Sequence, residues 1–159
     1  MKTAVVYYSM DENCTLIAQE IKLRLNADII RLETVDSKKR SFLGKMLWGG
    51  SMVVFKKKPP LKPYNFNPDN YDLIILGAPV WADNVAPPMQ TFLQDTKISG
   101  KHIALYMCLA GKMETAMEKF KTMLNENLII GEIYFKSPLK DAREDIKRTI
   151  GDWTIELFR

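Results

Sequence analysis

Five short apolar runs, each of strand length, are separated by stretches whose apolar residues return every three or four positions. The runs are Thr3–Tyr8 (TAVVYY), Asp28–Leu32 (DIIRL), Leu73–Gly77 (LIILG), His102–Cys108 (HIALYMC) and Leu128–Phe135 (LIIGEIYF). Most are continuous rather than alternating. That is the pattern of strands covered on both faces, as in a parallel sheet flanked by helices. Helical stripes lie between them: Cys14, Ile17, Ala18, Ile21 and Leu25; Met113, Ala116, Met117, Phe120 and Leu124; Ala142, Ile146, Ile150, Trp153 and Leu157. A shorter stripe, Val85, Met89, Phe92 and Leu93, starts beside Pro87 and Pro88, which suit a first helical turn. Strand and helix alternate, which predicts a doubly wound α/β domain: a five-stranded parallel sheet in a three-layer sandwich. The strand order 2-1-3-4-5 fits, with ligands beyond the C-terminal strand ends beside the switch between strands 1 and 3.

A chain of 159 residues suits one domain with a full core, here residues 1–159. The segment from Lys38 to Asn70 is the irregular part. Leu43, Met46, Leu47, Gly50 and Val54 have helical spacing, but Gly49 and Gly50 weaken a helix there. KKKPPLKPYNFNP then reads as an extended connection. A linker between two domains is disfavoured, because neither half would hold a sheet of its own.

The net charge of +4 permits an anionic partner without requiring one. Lys56, Lys57, Lys58 and Lys62 crowd one stretch, but no aromatic-and-basic interleaving surrounds them, so a solvated loop is favoured over a nucleic-acid patch. Cys14 and Cys108 match no zinc or redox spacing, and a reduced, cytoplasmic setting fits them best. No run approaches transmembrane length, and Lys2 is followed by only a strand-length apolar run, so neither a membrane nor a signal peptide is expected.

The topology brings three loops together: Ser9–Thr15, Ala78–Pro88 and Cys108–Lys112. The first precedes a helix, whose leading N–H groups and positive dipole end attract anions. Ser9, Asn13 and Thr15 add hydrogen-bonding side chains. The competing reading is that Asp11 or Asn13 merely caps the helix. In the second loop, Trp81 stands just past a strand end and offers a flat face for a planar ring. Its alternative role is a lid packed on the region of Trp48. The single histidine, His102, begins a strand on the opposite edge and is assigned no catalytic role.

YYSMDENCTLIA, YDLIILGAPVWADNVAPPMQTFL and the Cys108–Lys112 loop, with their spacing, resemble a flavodoxin domain over essentially the whole chain. The block from Tyr71 to Leu93 carries most of the likeness, and the long insert Lys38–Lys62 resembles one branch of that family. The resemblance implies bound flavin mononucleotide (FMN). Its phosphate would lie in the loop Ser9, Met10, Asp11, Glu12, Asn13, Cys14 and Thr15. Pro79, Val80, Trp81 and Ala82 would line the ribityl chain and ring. Cys108 and the backbone groups of Leu109, Ala110 and Gly111 would edge the pyrimidine.

Ser9 and Asn13 match the family's S-x-T-G-N-T pattern. Asp11 replaces a threonine, Glu12 the glycine and Cys14 the last threonine. An acid within about 5 Å of a phosphate repels it by ~3 kcal/mol at an effective dielectric of about 20, roughly a hundredfold in affinity. The repulsion shrinks if the carboxylates point to solvent. Glu12 is the harder problem, because a backbone with φ > 0 strains any residue but glycine. Cys14 beside a phosphate is expected to be a neutral thiol.

The leading expectation is an FMN-binding redox protein. It would be an electron carrier serving a redox partner protein, or a small reductase passing electrons from a reduced nicotinamide to a small-molecule acceptor such as a quinone. Flavodoxins that shuttle electrons between large partners are typically acidic, so the basic charge leans toward the small acceptor. The alternative is a flavodoxin-like domain that has lost FMN and serves as a binding or regulatory module. A response-regulator receiver is rejected, since Gly77, Ala78 and Pro79 occupy the place of a phospho-acceptor aspartate.

Overall fold

The computed structural model describes residues 1–35 and 58–159. The helical spacing expected from Leu43 to Val54, and the Trp48 contact, lie outside the described residues. Strands β1 (Thr3–Tyr8), β2 (Asp28–Leu32), β3 (Leu73–Trp81), β5 (His102–Leu109) and β6 (Leu128–Lys136) form a parallel sheet ordered β2-β1-β3-β5-β6. Counting only these strands, that is the expected order 2-1-3-4-5. A two-residue strand, β4 (Asn84–Val85), folds back antiparallel on β3.

Helices α1 (Asn13–Leu25) and α4 (Arg143–Glu156) cover one face, and α2 (Pro87–Asp95) and α3 (Ala116–Thr122) the other. Alternate strand residues point to opposite faces, so each strand feeds two cores. Val5, Tyr7, Ile75, Ala104 and Tyr106 pack on Ile17 and Ile21 of α1 and Ile150 and Trp153 of α4. Val6, Leu76, Ile103 and Leu105 pack on Met89 and Phe92 of α2 and Phe120 of α3. Continuous burial holds for β1 and β5 and for β3 as far as Pro79. It fails at the sheet margins: β2 and β6 are only partly covered, and Leu128 and Tyr134 are exposed.

The helix boundaries follow local chemistry. Pro87 and Pro88 open α2, where a missing N–H costs nothing. Asn26 ends α1 in the left-handed region at φ 48°, its N–H closing on the Lys22 carbonyl. The apolar stripe from Met113 to Leu124 predicts a longer helix than α3, which starts at Ala116 because an aspartate from another loop binds the amides just before it. Pro60 and Leu61 return the chain to the margin of β2: the Val35 N–H donates to the Pro60 carbonyl, and the Lys62 ammonium meets the Glu33 carboxylate at 2.6 Å.

Candidate functional site

Because β1, β3 and β5 are adjacent and parallel, their C-terminal ends open on one edge. The chain leaves that edge at 9–12, 82–83 and 110–115, so all three expected segments meet there. Two begin later than expected. Pro79, Val80 and Trp81 continue β3, since the ladder with β5 runs on to Pro79 opposite Cys108 and the hairpin with β4 extends it further. Cys108 and Leu109 are likewise the last, buried residues of β5, leaving Ala110 and Gly111 exposed as the loop itself.

In the first loop Glu12 has φ 67° and ψ −1°, so the position that invites glycine does hold a left-handed backbone. Its side chain turns to β2. Arg31 donates from Nη2 to Oε1 at 2.5 Å and from Nη1 to Oε2 at 3.1 Å, a two-point pairing. Arg31 also reaches the Ser9 carbonyl at 3.5 Å. The Glu12 carboxylate raises the Arg31 pKa through this hydrogen bonding.

Asp11 is exposed and folds over Asn13, accepting from its backbone N–H at 3.3 Å and from Nδ2 at 2.8 Å. Asn13 also accepts from the Leu139 N–H through Oδ1 at 3.1 Å, which ties α1 to the turn at Pro138–Lys140. Asn13 is therefore a brace between Asp11 and the turn at Leu139, with its side-chain oxygen and one donor of its amide engaged. The N-cap is Glu12, which makes no side-chain cap bond, and the Asp11 carboxylate serves the first helical amide, that of Asn13, from one residue further out. Cys14 is fully buried in the core between α1 and the sheet. Burial pushes its thiol well up, and the neighbouring Cys108 thiol adds to that. It is neutral, as expected, and can offer the edge only its backbone.

Two buried hydroxyls here have no hydrogen-bond partner: Ser9 Oγ and Thr15 Oγ1. Buried polar atoms are nearly always satisfied, so such a pair calls for a missing group. The helix ladder starts only with the Leu16 N–H donating to the Glu12 carbonyl at 3.0 Å. Amides ahead of it point out of the helix end. An anion with several acceptor oxygens would satisfy this set.

The second and third loops are bolted together by Asp83, which sequence reasoning missed. Ala82 and Asp83 have φ 48° and 52°, the mirror-image turn that suits a two-residue hairpin. From that turn the Asp83 carboxylate accepts from the backbone N–H groups of Glu114 (2.8 Å), Thr115 (3.0 Å) and Ala116 (3.2 Å) and from Thr115 Oγ1 (2.6 Å). These hydrogen bonds hold its pKa far below the usual carboxylate range. Lys119 Nζ donates to the Asp83 carbonyl at 2.8 Å. Trp81 meets the Tyr8 ring edge-on, centroids 5.8 Å apart at 85°, and is half-buried. Met10, Val80, Trp81 and Met113 all pack against the core at this edge. His102 is exposed at the far end of β5, away from the site.

A flavoprotein from Lactobacillus acidophilus, crystallised with FMN, superimposes with a TM-score of 0.74 at 20% identity, over 96% of this chain and 98% of its own. The fold is that of the flavodoxins. A Bacteroides eggerthii protein provisionally described as a flavoprotein gives 0.77 at 15% identity, over 96% and 98% of the two chains. Flavodoxin 2 from Bacillus cereus gives 0.63 at 20% identity, over 99% and 97%. No family model and no curated protein matches the sequence. Within this flavodoxin fold, the residues that sequence reasoning failed to find are Arg31 and Asp83. Arg31 had one signal, a lone cation inside the apolar run DIIRL. Asp83 sits in an ordinary turn sequence, and nothing local betrays that it caps α3. Among the described residues no His, Cys, Asp and Glu cluster suits a metal, and no helix is long and apolar enough to cross a membrane.

Proposed function

We propose that this chain binds FMN at the C-terminal edge of the sheet and works as a small redox protein, either an electron carrier or a reductase of small acceptors. The observation that carries the reading is the pair of buried, unsatisfied hydroxyls, Ser9 Oγ and Thr15 Oγ1, at the open end of α1. A phosphate monoester supplies the acceptors that this end lacks. The structural likeness to a flavoprotein crystallised with FMN supports the same ligand.

Bound FMN would supply one- and two-electron transfer; the chain's own residues bind, orient and shield. Ser9 and Thr15 would donate to the phosphate, with backbone amides from the first turn of α1. Pro79, Val80, Trp81 and Ala82 on one side, and Cys108, Leu109, Ala110 and Gly111 on the other, would flank the rest of the molecule. Asp83 keeps those two sides at a fixed separation. The basic charge favours a small acceptor over the partners of acidic carriers.

The second reading is a domain without cofactor. It is favoured by the Asp11 carboxylate, which already occupies the Asn13 amide as an anion would. An absorbance spectrum, taken before and after adding FMN and desalting, separates the two. Retained flavin bands with quenched tryptophan fluorescence support the redox reading. No retained flavin, and no quenching at high FMN, would replace it with the second.

A further inference from the structure

We propose that Arg31 is a specificity-determining residue of the phosphate site: by pairing with Glu12 it makes an acid tolerable where a flavodoxin loop uses glycine, and so permits a phosphate monoester dianion to bind. This inference rests on the FMN reading and adds to it a residue from outside the three loops.

Three observations carry it. First, the Glu12 backbone is left-handed at the N-cap of α1, so its amide and carbonyl are part of the helix end. Its carboxylate is carried by that turn and leans from there to Arg31 of β2; left unpaired, the charge would repel an anion held at the end. Second, the guanidinium meets that charge at two points, 2.5 and 3.1 Å, and extends to the Ser9 carbonyl at 3.5 Å. One cation thus braces the first and last residues of the turn. Third, the two unsatisfied hydroxyls of Ser9 and Thr15 lie in the same segment and mark where the anion belongs.

The geometry separates an electrostatic role from a structural one. If Arg31 only braced the turn, its loss would weaken FMN whether or not residue 12 carries a charge. If it neutralises Glu12, its loss penalises the dianion only while Glu12 is present, and spares an uncharged analogue of the same shape. Riboflavin is that analogue, since it lacks only the phosphate. Both side chains are partly exposed, so solvent and salt weaken the effect.

Wild type, Arg31→Gln, Glu12→Gly and the double variant, each freed of bound flavin, would be titrated with FMN and with riboflavin by flavin fluorescence. Arg31→Gln is expected to weaken FMN about tenfold or more while leaving riboflavin unchanged. In the Glu12→Gly background the same change is expected to cost no FMN affinity. Equal losses for the two flavins, or no loss of FMN, would overturn the proposal. So would an undiminished FMN loss in the double variant. A wild type that binds neither flavin would overturn the FMN reading, and inorganic phosphate then decides Arg31. Shifts of the Cys14 and Thr15 amides in wild type, lost in Arg31→Gln and regained in the double variant, would sustain the proposal. Any other pattern would end it.

Discussion

The Tyr106 hydroxyl donates to the Cys14 carbonyl at 3.0 Å, linking the middle of the sheet to the first turn of the helix that opens the site. To get there the Tyr106 ring crosses its neighbour on β3, Gly77; a Cβ at that position would lie 1.9 Å from the ring. Glycine is required by close approach, since nothing larger than a bare backbone fits under the ring. Both residues are buried, so the ring has little room to retreat. Burial also drives the Tyr106 phenol well above its ordinary pKa and keeps it a donor.

Gly77→Ala is expected to destabilise the fold by about 2–3 kcal/mol, the usual cost of overfilling a packed core. Tyr106→Phe removes only the hydrogen bond and is expected to cost about 1 kcal/mol. Urea unfolding of both variants checks the order. A Gly77→Ala protein as stable as wild type would show that the ring does not lie over that strand.

Asp83→Asn is expected to lower the melting temperature and to loosen the second loop from the third. The folded Asp83 pKa is depressed below the ordinary value of 3.8 by the Thr115 hydroxyl and the amides of Glu114, Thr115 and Ala116. A depressed acid stabilises the fold fully above its unfolded pKa, and that contribution is lost as the pH falls through the folded value. The gap between wild type and variant should therefore be widest near neutrality and close in strong acid. Thermal melts from neutral pH downward would show it; a gap that is the same at every pH would mean the charge is irrelevant.

Asp11→Asn is expected to tighten FMN. The carboxylate folds over Asn13 at the helix end and repels a phosphate brought there, by about tenfold in affinity once exposure is allowed for. The gain should shrink as salt is added. Titrations at low and high ionic strength test this, and an affinity unchanged at low salt would place Asp11 outside the field of the bound phosphate.

Cys14 and Cys108 are both free and buried, and Cys14 is held neutral by burial first and by Cys108 second. Neither is expected to react with a thiol reagent at neutral pH until the protein unfolds. Release of both thiols in denaturant, with none in native buffer, is the expected result. Fast labelling of Cys14 in the native protein would indicate a thiolate at the helix end.

How much of this was legible in the chain depends on the range of each interaction. The apolar runs of β1, β3 and β5, the three-and-four spacing on α1 and α4, and the prolines opening α2 are local patterns, and a doubly wound sheet follows from them directly. So does the place of the site, because parallel order forces the loops after β1, β3 and β5 to one edge. The left-handed backbone at Glu12 was also foreseeable, from the resemblance of this loop to a pattern with glycine at that position. The side chains of that edge were not. Glu12 and Arg31 are 19 residues apart, and Asp83 and Thr115 are 32 apart. Each pair exists only because neighbouring strands bring its two members side by side. The Asn13 side-chain oxygen, in turn, accepts from the Leu139 N–H, 126 residues away. By itself the sequence determined the layers, the strand order and the edge at which a ligand belongs, because burial periodicity is written residue by residue. Only the tertiary structure decided which acids are neutralised, which amides are taken and which hydroxyls are left waiting, because hydrogen bonds and ion pairs act over a few ångströms of space rather than along the chain.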